Sequence, residues 1–194
     1  MPNSVFKITR PLVIATASPA RRKLISDLGV NYIADTVDID ESPLKDEKVA
    51  DYVRRLASEK AHVAIPPSLD AVIVTVDTAI GIDEKIIGKP KDENHARNIL
   101  QQLSGRCHDV LSAIAVRDMN RETVDIEVTH TTVEFIKLTE DFIDWYISTS
   151  EWRNRAGAYA IQGKGISLVK EIRGCLTNVI GISIPSLLRM IERL

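Results

Sequence analysis

The amino-acid sequence predicts an α/β fold built on a mixed β-sheet. Apolar runs typical of strands alternate with segments of helical periodicity, a pattern that packs helices against a sheet. Residues 71–76 (AVIVTV) are almost wholly apolar and rich in β-branched side chains, as in a central strand covered on both faces. Residues 110–117 and 123–136 flank a short polar segment, which predicts an antiparallel hairpin and excludes a purely parallel sheet. The 194 residues suit one domain over 1–194.

The first third of the chain predicts two strands and two helices. Ser18 is a good helix N-cap, Pro19 suits the first helical position and Gly29 is typical of a helix end. In chain order, the predicted elements are a buried strand at 12–17, a helix from 19 to about 28, a second strand at 30–37 and a helix at 46–64.

The rest of the chain continues the alternation around the central strand. Residues 79–82 continue that strand or pair with it, and 83–85 turn the chain. The remaining predictions are a helix at 94–103, the hairpin at 110–136, a helix at 139–147, a late hairpin joining 157–162 to 166–172, and a terminal helix at 185–194.

Composition narrows the classes of function. The chain has 25 Lys and Arg against 27 Asp and Glu, so it lacks the basic excess typical of proteins that clamp nucleic acid. Cys107 and Cys175 form no CxxC motif, so neither a disulfide framework nor a zinc ribbon is indicated. The apolar run at 12–17 is too short for a signal peptide or a membrane span. We therefore expect a cytoplasmic protein with no membrane contact.

The segment Ser18-Pro19-Ala20-Arg21-Arg22-Lys23 places three cations in the first turn of a helix that follows a strand directly. Cations are unfavourable at the positive end of the helix dipole. A bound phosphate would resolve the conflict, because free backbone N–H groups and the Ser18 hydroxyl point the same way. The alternative is a solvated basic turn whose side chains lie in water.

Three further segments carry candidate chemistry. Asp77 ends the apolar run 71–76, and ligands of open α/β sheets lie at the carboxyl ends of strands. In Gly88-Lys89-Pro90, glycine lets the backbone approach a ligand and proline stiffens the loop behind Lys89, although the tripeptide is also a common turn. The acidic stretch 38–41 offers hard oxygen ligands for magnesium, or is a solvated loop.

Taken together, these segments resemble the Maf family of nucleoside triphosphate pyrophosphatases, named historically for inhibition of septum formation. The matching motifs occur in the family's order from residue 12 to the C-terminus. They are IATASP with Arg21-Arg22, DESP at 40–43, LA with KA at 56–61, Asp77-Thr78, GKP at 88–90, LSG with HDV at 103–110, AGAYAIQG at 156–163 and NVIG at 178–181.

The resemblance implies a fold like that of inosine triphosphate pyrophosphatases, with an elongated mixed sheet flanked by helices. It implies hydrolysis of a nucleoside triphosphate to monophosphate and pyrophosphate with magnesium or manganese, and members are often homodimers. Carried over by motif, Asp77 is the proton acceptor, Glu41 and Asp77 hold the metal, and Lys89 is catalytic. The phosphates are contacted by Ser18, Arg21, Lys60 and Lys89, and the base is recognised by Gln162.

Specificity is divided between three positions. Thr78 and Gln162 fit the dTTP/UTP subgroup, which usually has Arg where this chain has Ala20. A second departure is Arg155, where the family commonly has Lys. We expect dTTP, UTP or modified pyrimidine nucleotides as substrates. The alternatives are a 7-methyl-GTP-type pyrophosphatase, a transfer enzyme with a non-nucleotide acceptor, and a non-catalytic nucleotide-sensing regulator of cell division.

Overall fold

The computed structural model describes residues 8–194 and contains one seven-stranded mixed sheet. The short β4 pairs only with the end of β3, and the other six strands run in the order β2-β1-β3-β5-β6-β7. The strands are β1 (Leu12–Ala15), β2 (Ile33–Asp35), β3 (Val72–Ile82), β4 (Lys85–Ile87), β5 (Cys107–Asp118), β6 (Thr123–Phe135) and β7 (Val169–Arg173).

Six α-helices in the described residues cover this sheet, and their caps follow the sequence. Ser18, Asp92, Thr139 and Ser183 each accept a backbone N–H with the side chain at a helix start. None of the helices in residues 8–194 is long and apolar enough to cross a membrane. The helices are α1 (Pro19–Asp27), α2 (Val49–Val63), α3 (Glu93–Leu103), α4 (Glu140–Ser148), α5 (Leu176–Ile180) and α6 (Ile184–Glu192).

The sheet combines parallel and antiparallel pairs and is buried on both faces at its centre. Strand β1 runs parallel to both β2 and β3, whereas β3, β5, β6 and β7 pair antiparallel. Small side chains such as Ala113 and Ala115 let α2 pack closely on one face through Val53 and Ala57. On the other face, α1 and α6 pack against β1 and β3. The predicted fold class, α/β with a mixed sheet flanked by helices, is confirmed.

Two predictions about elements need correction. The late hairpin is wrong, because residues 157–162 form a short 3₁₀ turn and a loop, and β7 pairs with β6 instead. Gly157 and Ala158 have φ of 68° and 58°, which a strand does not allow. Of the second strand predicted at 30–37, only β2 is formed.

The position of Asp77 also differs from the prediction, because Asp77 does not end its strand. The central strand continues without interruption from Val72 to Ile82. The parallel neighbour β1 does end here, since Ala15 pairs with Thr75, two residues before Asp77. The carboxyl end that places ligands in α/β sheets is therefore that of β1.

Candidate active site

One cleft brings together every site residue that the sequence predicts. Its volume is about 1090 Å³, and it opens where β1 ends beside β3. Such a concave site with polar groups on its walls is the usual form of a small-molecule site. The nine predicted residues on its walls are Ser18, Ala20, Arg21, Glu41, Lys60, Asp77, Thr78, Lys89 and Gln162.

At the centre of the cleft an ammonium group joins two carboxylates. Lys60 Nζ donates to Asp77 Oδ1 at 2.7 Å and to Glu41 Oε1 at 2.6 Å. Asp77 and Lys60 are 6% and 8% exposed, whereas Glu41 is half-exposed on the loop before α2. Asp77 Oδ2 has no hydrogen-bond partner within residues 8–194, so one oxygen of the buried carboxylate remains open to a ligand.

Burial and charge act differently on the two carboxyl groups. Burial raises the pKa of Asp77 above its ordinary value, although the charges of Lys60 and Arg21 oppose the shift. Burial also opposes ionisation of Glu41, but hydrogen bonds and charges from Lys60 and Lys89 outweigh it and lower the pKa of Glu41. The site therefore holds one carboxyl that gains proton affinity beside one that loses it, an arrangement common in acid–base sites.

Arg21 extends from α1 into the cleft wall, and the protein's own acceptors take up its guanidinium donors. Its Nε donates to the carbonyl of Gly181 at 2.7 Å, and its two terminal nitrogens donate to the carbonyl of Val76 and to Thr78 Oγ1. The Thr78 hydroxyl in turn donates to Gly181 O at 2.9 Å. Burial lowers the pKa of Arg21. Arg21 and Thr78 thus link the strand that carries Asp77 to the turn after α5.

The other cations of the predicted basic turn also have protein partners. Arg22 donates to the carbonyl of Thr16, and Lys23 pairs with Asp27 on the exposed side of α1. Only the first of the three cations lines the cleft. These three cations therefore do not form one basic patch that faces the cleft.

Lys89 and Gln162 have exposed side chains, and the segments that carry them are joined to each other. Lys89 follows β4, is 59% exposed and reaches Glu41 Oε2 at 3.3 Å. The N–H of Gly157 donates to the carbonyl of Gly88 at 3.4 Å, which connects the two segments. The Gln162 amide makes no hydrogen bond to any group in the described part of the chain, so both its donor and acceptor atoms remain available.

The segment before Gln162 is anchored in the core by a buried aromatic cluster. Tyr159 and His108 form a hydrogen bond of 3.0 Å between the phenol oxygen and Nε2, and both rings pack edge-on against Phe135. Burial lowers the pKa of His108 to about 4, so its imidazole is neutral at physiological pH. His108 therefore acts here as a structural residue, which agrees with its lack of metal-type spacing.

The carboxylate pair fits a divalent cation that brings further ligands with it. No three His, Cys, Asp or Glu side chains among residues 8–194 lie close enough together to hold a metal ion alone. Glu41 and Asp77 do lie within reach of a single cationic group, as their shared contact with Lys60 demonstrates. Magnesium in nucleotide sites typically takes one or two carboxylates and completes its shell with phosphate oxygens and water.

Several residues with polar or charged side chains line the cleft but were not among the predicted site residues. Tyr52, Glu151, Arg153 and Arg155 line the same cleft. Tyr52 has the spacing of an apolar-face residue in the helix predicted at 46–64, so it gives no sign of a place in the site. Arg155 differs from the residue common in the family, and no other motif marks it. The dense run Glu-Trp-Arg-Asn-Arg at 151–155 is the one signal that could have indicated a polar wall.

Comparison with known proteins identifies the family. Residues 11–194 match the family described as Maf-like protein. A relative from Myxococcus xanthus, named dTTP/UTP pyrophosphatase, is 39% identical over 182 residues and aligns with 94% of this chain and 91% of its own length. Relatives of the same name from Anaeromyxobacter dehalogenans and Acinetobacter baylyi are 40% and 39% identical, and the aligned regions cover 93% and 97% of their lengths. The chain belongs to the Maf family, as its motifs predicted.

One solved structure has a fold similar to that of this chain. A HAM1 protein from Coxiella burnetii superposes with a TM-score of 0.53 over 96% of this chain and the whole of that protein. The sequences are only 11% identical, so this similarity concerns the fold alone. It agrees with the fold class predicted from the resemblance.

Proposed function

We propose that this protein is a nucleoside triphosphate pyrophosphatase that converts dTTP, UTP or a modified pyrimidine analogue to the monophosphate and pyrophosphate. The observation that carries the proposal is the cleft, where buried Asp77 and Lys60 face the exposed Lys89 and Gln162. The names of the relatives, at about 40% identity over almost the whole chain, support the same reaction.

Asp77 is the proton acceptor in the proposed reaction. An attacking water donates its proton to the open Oδ2 while its oxygen forms a bond to the α-phosphorus. The bond between that phosphorus and the bridging oxygen breaks, and pyrophosphate leaves with the bonding electrons. The raised pKa of Asp77 supports the role, because a stronger base accepts the proton more readily.

The cations of the cleft stabilise the charge that moves during the reaction. Lys89 is exposed and contacts Glu41 at 3.3 Å, so its ammonium can exchange that contact for a phosphate oxygen of the leaving group. Lys60 lies beside Asp77, where it meets a phosphate approaching the attacking water. Ser18 adds a hydroxyl, and Ala20 adds the one N–H of the first turn of α1 without a partner in residues 8–194, since Pro19 has no N–H and the N–H groups of Arg21 and Arg22 donate to Ser18.

A divalent cation, magnesium or manganese, is part of the proposal. Glu41 and Asp77 are the residues that would hold it, together with phosphate oxygens of the substrate. Because Lys60 donates to Asp77 Oδ1, the open Oδ2 would serve either the ion or the attacking water, and Asp77 is the base where Glu41 and the phosphates hold the ion. When bound, such an ion neutralises triphosphate charge and polarises phosphoryl oxygens. Metal dependence is tested directly by comparing activity with each ion and with chelator.

Gln162 is proposed to read the base. Its amide can accept from the ring N–H of uracil or thymine and donate to the neighbouring carbonyl in one pairing. Cytosine has an unprotonated ring nitrogen at the matching position, so the first of these bonds is lost. The free amide of Gln162 in the cleft is the structural support for this assignment.

The first test is a panel of normal and modified nucleoside triphosphates, including 7-methyl-GTP, with magnesium or manganese and scored for pyrophosphate release. We expect UTP and dTTP to exceed CTP and purine nucleotides by about 10- to 100-fold in kcat/KM. A higher rate with 7-methyl-GTP would make Ala20 the better guide to specificity. Nucleotide binding without turnover of any substrate would favour the regulator.

The second test is hydrolysis in ¹⁸O-labelled water. Attack at the α-phosphorus puts the label in the monophosphate and leaves pyrophosphate unlabelled. Label in pyrophosphate would place the attack on the β-phosphorus, and diphosphate as a product would exclude the proposed reaction.

A further inference from the structure

The loop that carries Glu41 has no regular structure and no apolar core of its own. Residues 36–48 connect β2 to α2 without a helix or strand, and none of them is buried. Yet Glu41 Oε1 lies 2.6 Å from Lys60 Nζ, close to Asp77. Val37 packs against a core cluster at the start of the loop, but no apolar side chain near Glu41 is buried, so polar contacts set the place of Glu41.

Those contacts come from the exposed side of α2. The Tyr52 hydroxyl donates to the carbonyl of Glu41 itself at 2.8 Å. The backbone of the predicted metal ligand is thus attached directly to the helix.

Arg55, one turn further along α2, holds the rest of the loop. Its Nε and one terminal nitrogen donate to the two carboxylate oxygens of Glu47 at 2.7 and 2.8 Å. The same terminal nitrogen donates to the carbonyl of Ser42 at 3.2 Å, and Glu47 Oε2 accepts the N–H of Leu44 at 2.9 Å. The planar guanidinium therefore joins Ser42 to Glu47 across the second half of the loop, which a lysine could not do with the same geometry.

We infer that Tyr52 and Arg55 are positioning residues that hold Glu41 against Lys60 and Asp77, so that one helix sets both the carboxylate and the ammonium of the site. Tyr52, Arg55 and Lys60 all belong to α2, so the loop anchor and the buried ammonium keep one geometry. The inference rests on the proposed function for its catalytic consequence, but its structural part is independent of any activity.

Hydrogen exchange tests the structural part. In Tyr52→Phe and Arg55→Gln, backbone amides of residues 41–47 should exchange at least about fivefold faster than in the wild type. The matched control is Arg54→Gln, because Arg54 is the adjacent exposed cation of α2 and has no hydrogen-bond partner in the described chain. Unchanged exchange in both variants, with melting temperatures equal to that of the control, would overturn the inference.

Kinetics test whether the two residues act through Glu41. With UTP, each variant should lower kcat by about 10- to 100-fold with a smaller change in KM, since misplacement of a site group affects the reaction more than binding. In a Glu41→Ala background the same substitutions should change kcat by less than about twofold, because the group they position is gone. A full additional loss in that background would show that they act elsewhere.

The two tests separate this inference from the proposed function. If the wild type releases no pyrophosphate from any nucleotide, the proposed function fails while the exchange measurement still decides the role of Tyr52 and Arg55. If the wild type is active and the exchange is unchanged, the positioning inference fails alone.

Discussion

Replacing Asp77 by asparagine isolates the proton acceptor from the geometry of the cleft. The side chain keeps its size. In the wild type Asp77 Oδ1 accepts from Lys60 Nζ at 2.7 Å, and the amide oxygen of asparagine can accept in its place. The open Oδ2 becomes an NH₂ group, which donates and cannot take a proton from water. The substitution therefore removes the base and one negative charge while the wall of the cleft stays in place.

The expected loss follows from the role assigned to this oxygen. General-base catalysis typically contributes about 10²–10⁴-fold, equivalent to about 2.7–5.4 kcal/mol of transition-state stabilisation. Nucleotide affinity should be largely kept, because Lys60, Lys89 and the other carboxylate proposed to hold the metal, Glu41, remain. Turnover of UTP should therefore decrease by about 10²–10⁴-fold with a much smaller change in KM.

Stability provides a second expected result. The folded-state pKa of Asp77 is raised by burial, so the folded protein binds this proton more tightly than the unfolded chain does. The contribution of Asp77 to stability therefore falls as the pH rises from the pKa of the unfolded state through the raised pKa of the folded state. Asparagine does not ionise. Asp77→Asn should therefore melt no lower than the wild type at pH 7, and any advantage should shrink as the pH is lowered toward 4.

Pyrophosphate release from UTP, isothermal titration with the nucleotide and melting between pH 4 and 8 measure these three quantities. Turnover within about threefold of the wild type would refute the assignment of Asp77 as the base. A folded variant that no longer binds UTP would instead show that Asp77 serves mainly to hold the substrate.

Three other substitutions address the remaining parts of the site and the fold. Gln162→Glu should lower the UTP-to-CTP ratio of kcat/KM by about 10- to 100-fold, because a carboxylate cannot donate to a carbonyl; an unchanged ratio would remove Gln162 from base recognition. Arg21→Ala should raise KM and also lower the free energy of unfolding by about 1.5–3 kcal/mol, since the carbonyls of Gly181 and Val76 lose a charged donor; equal melting temperatures would contradict the structural part. Hydrogen bonds to Arg10 lower the pKa of Asp118 in the folded protein. Ionised Asp118 therefore stabilises the fold fully when the pH is above its ordinary pKa of 3.8, and this stabilisation is lost as the pH falls through the lower pKa of the folded state. Asp118→Asn should therefore be less stable than the wild type at pH 7 in urea unfolding, with the difference vanishing in acid.

Local sequence patterns were sufficient to predict most of the helices and strands. The buried run at residues 71–76 and the capped start of α1 are formed as the sequence predicts. Both depend on interactions within a few residues, namely β-branched packing and a side-chain cap. The nine predicted site residues also line one cleft, because the motifs of the family mark positions along the chain that the fold then brings together; their roles stay predictions.

The errors arise where distant residues decide the local structure. The segment around Tyr159 has the alternation of a strand, but Gly157 and Ala158 adopt left-handed conformations that end any ladder. Strand β7 pairs with β6, more than 30 residues earlier, and no turn signal announces that pairing. Arg21 contacts Gly181, 160 residues away, so its partner could not be inferred from periodicity.

The partners of the basic turn change the physical argument for phosphate binding. The sequence presents three cations at a helix N-terminus as a conflict that an anion would relieve. In the folded chain, backbone carbonyl oxygens relieve much of this electrostatic conflict. Arg21 donates to the carbonyls of Gly181 and Val76, and Arg22 donates to the carbonyl of Thr16. A triphosphate would therefore meet Arg21 as a fixed charge whose donors are already directed at the protein, and its phosphate contact stays a prediction. The exposed Lys89, by contrast, has a single weak partner and can turn toward a ligand at little cost in lost hydrogen bonds.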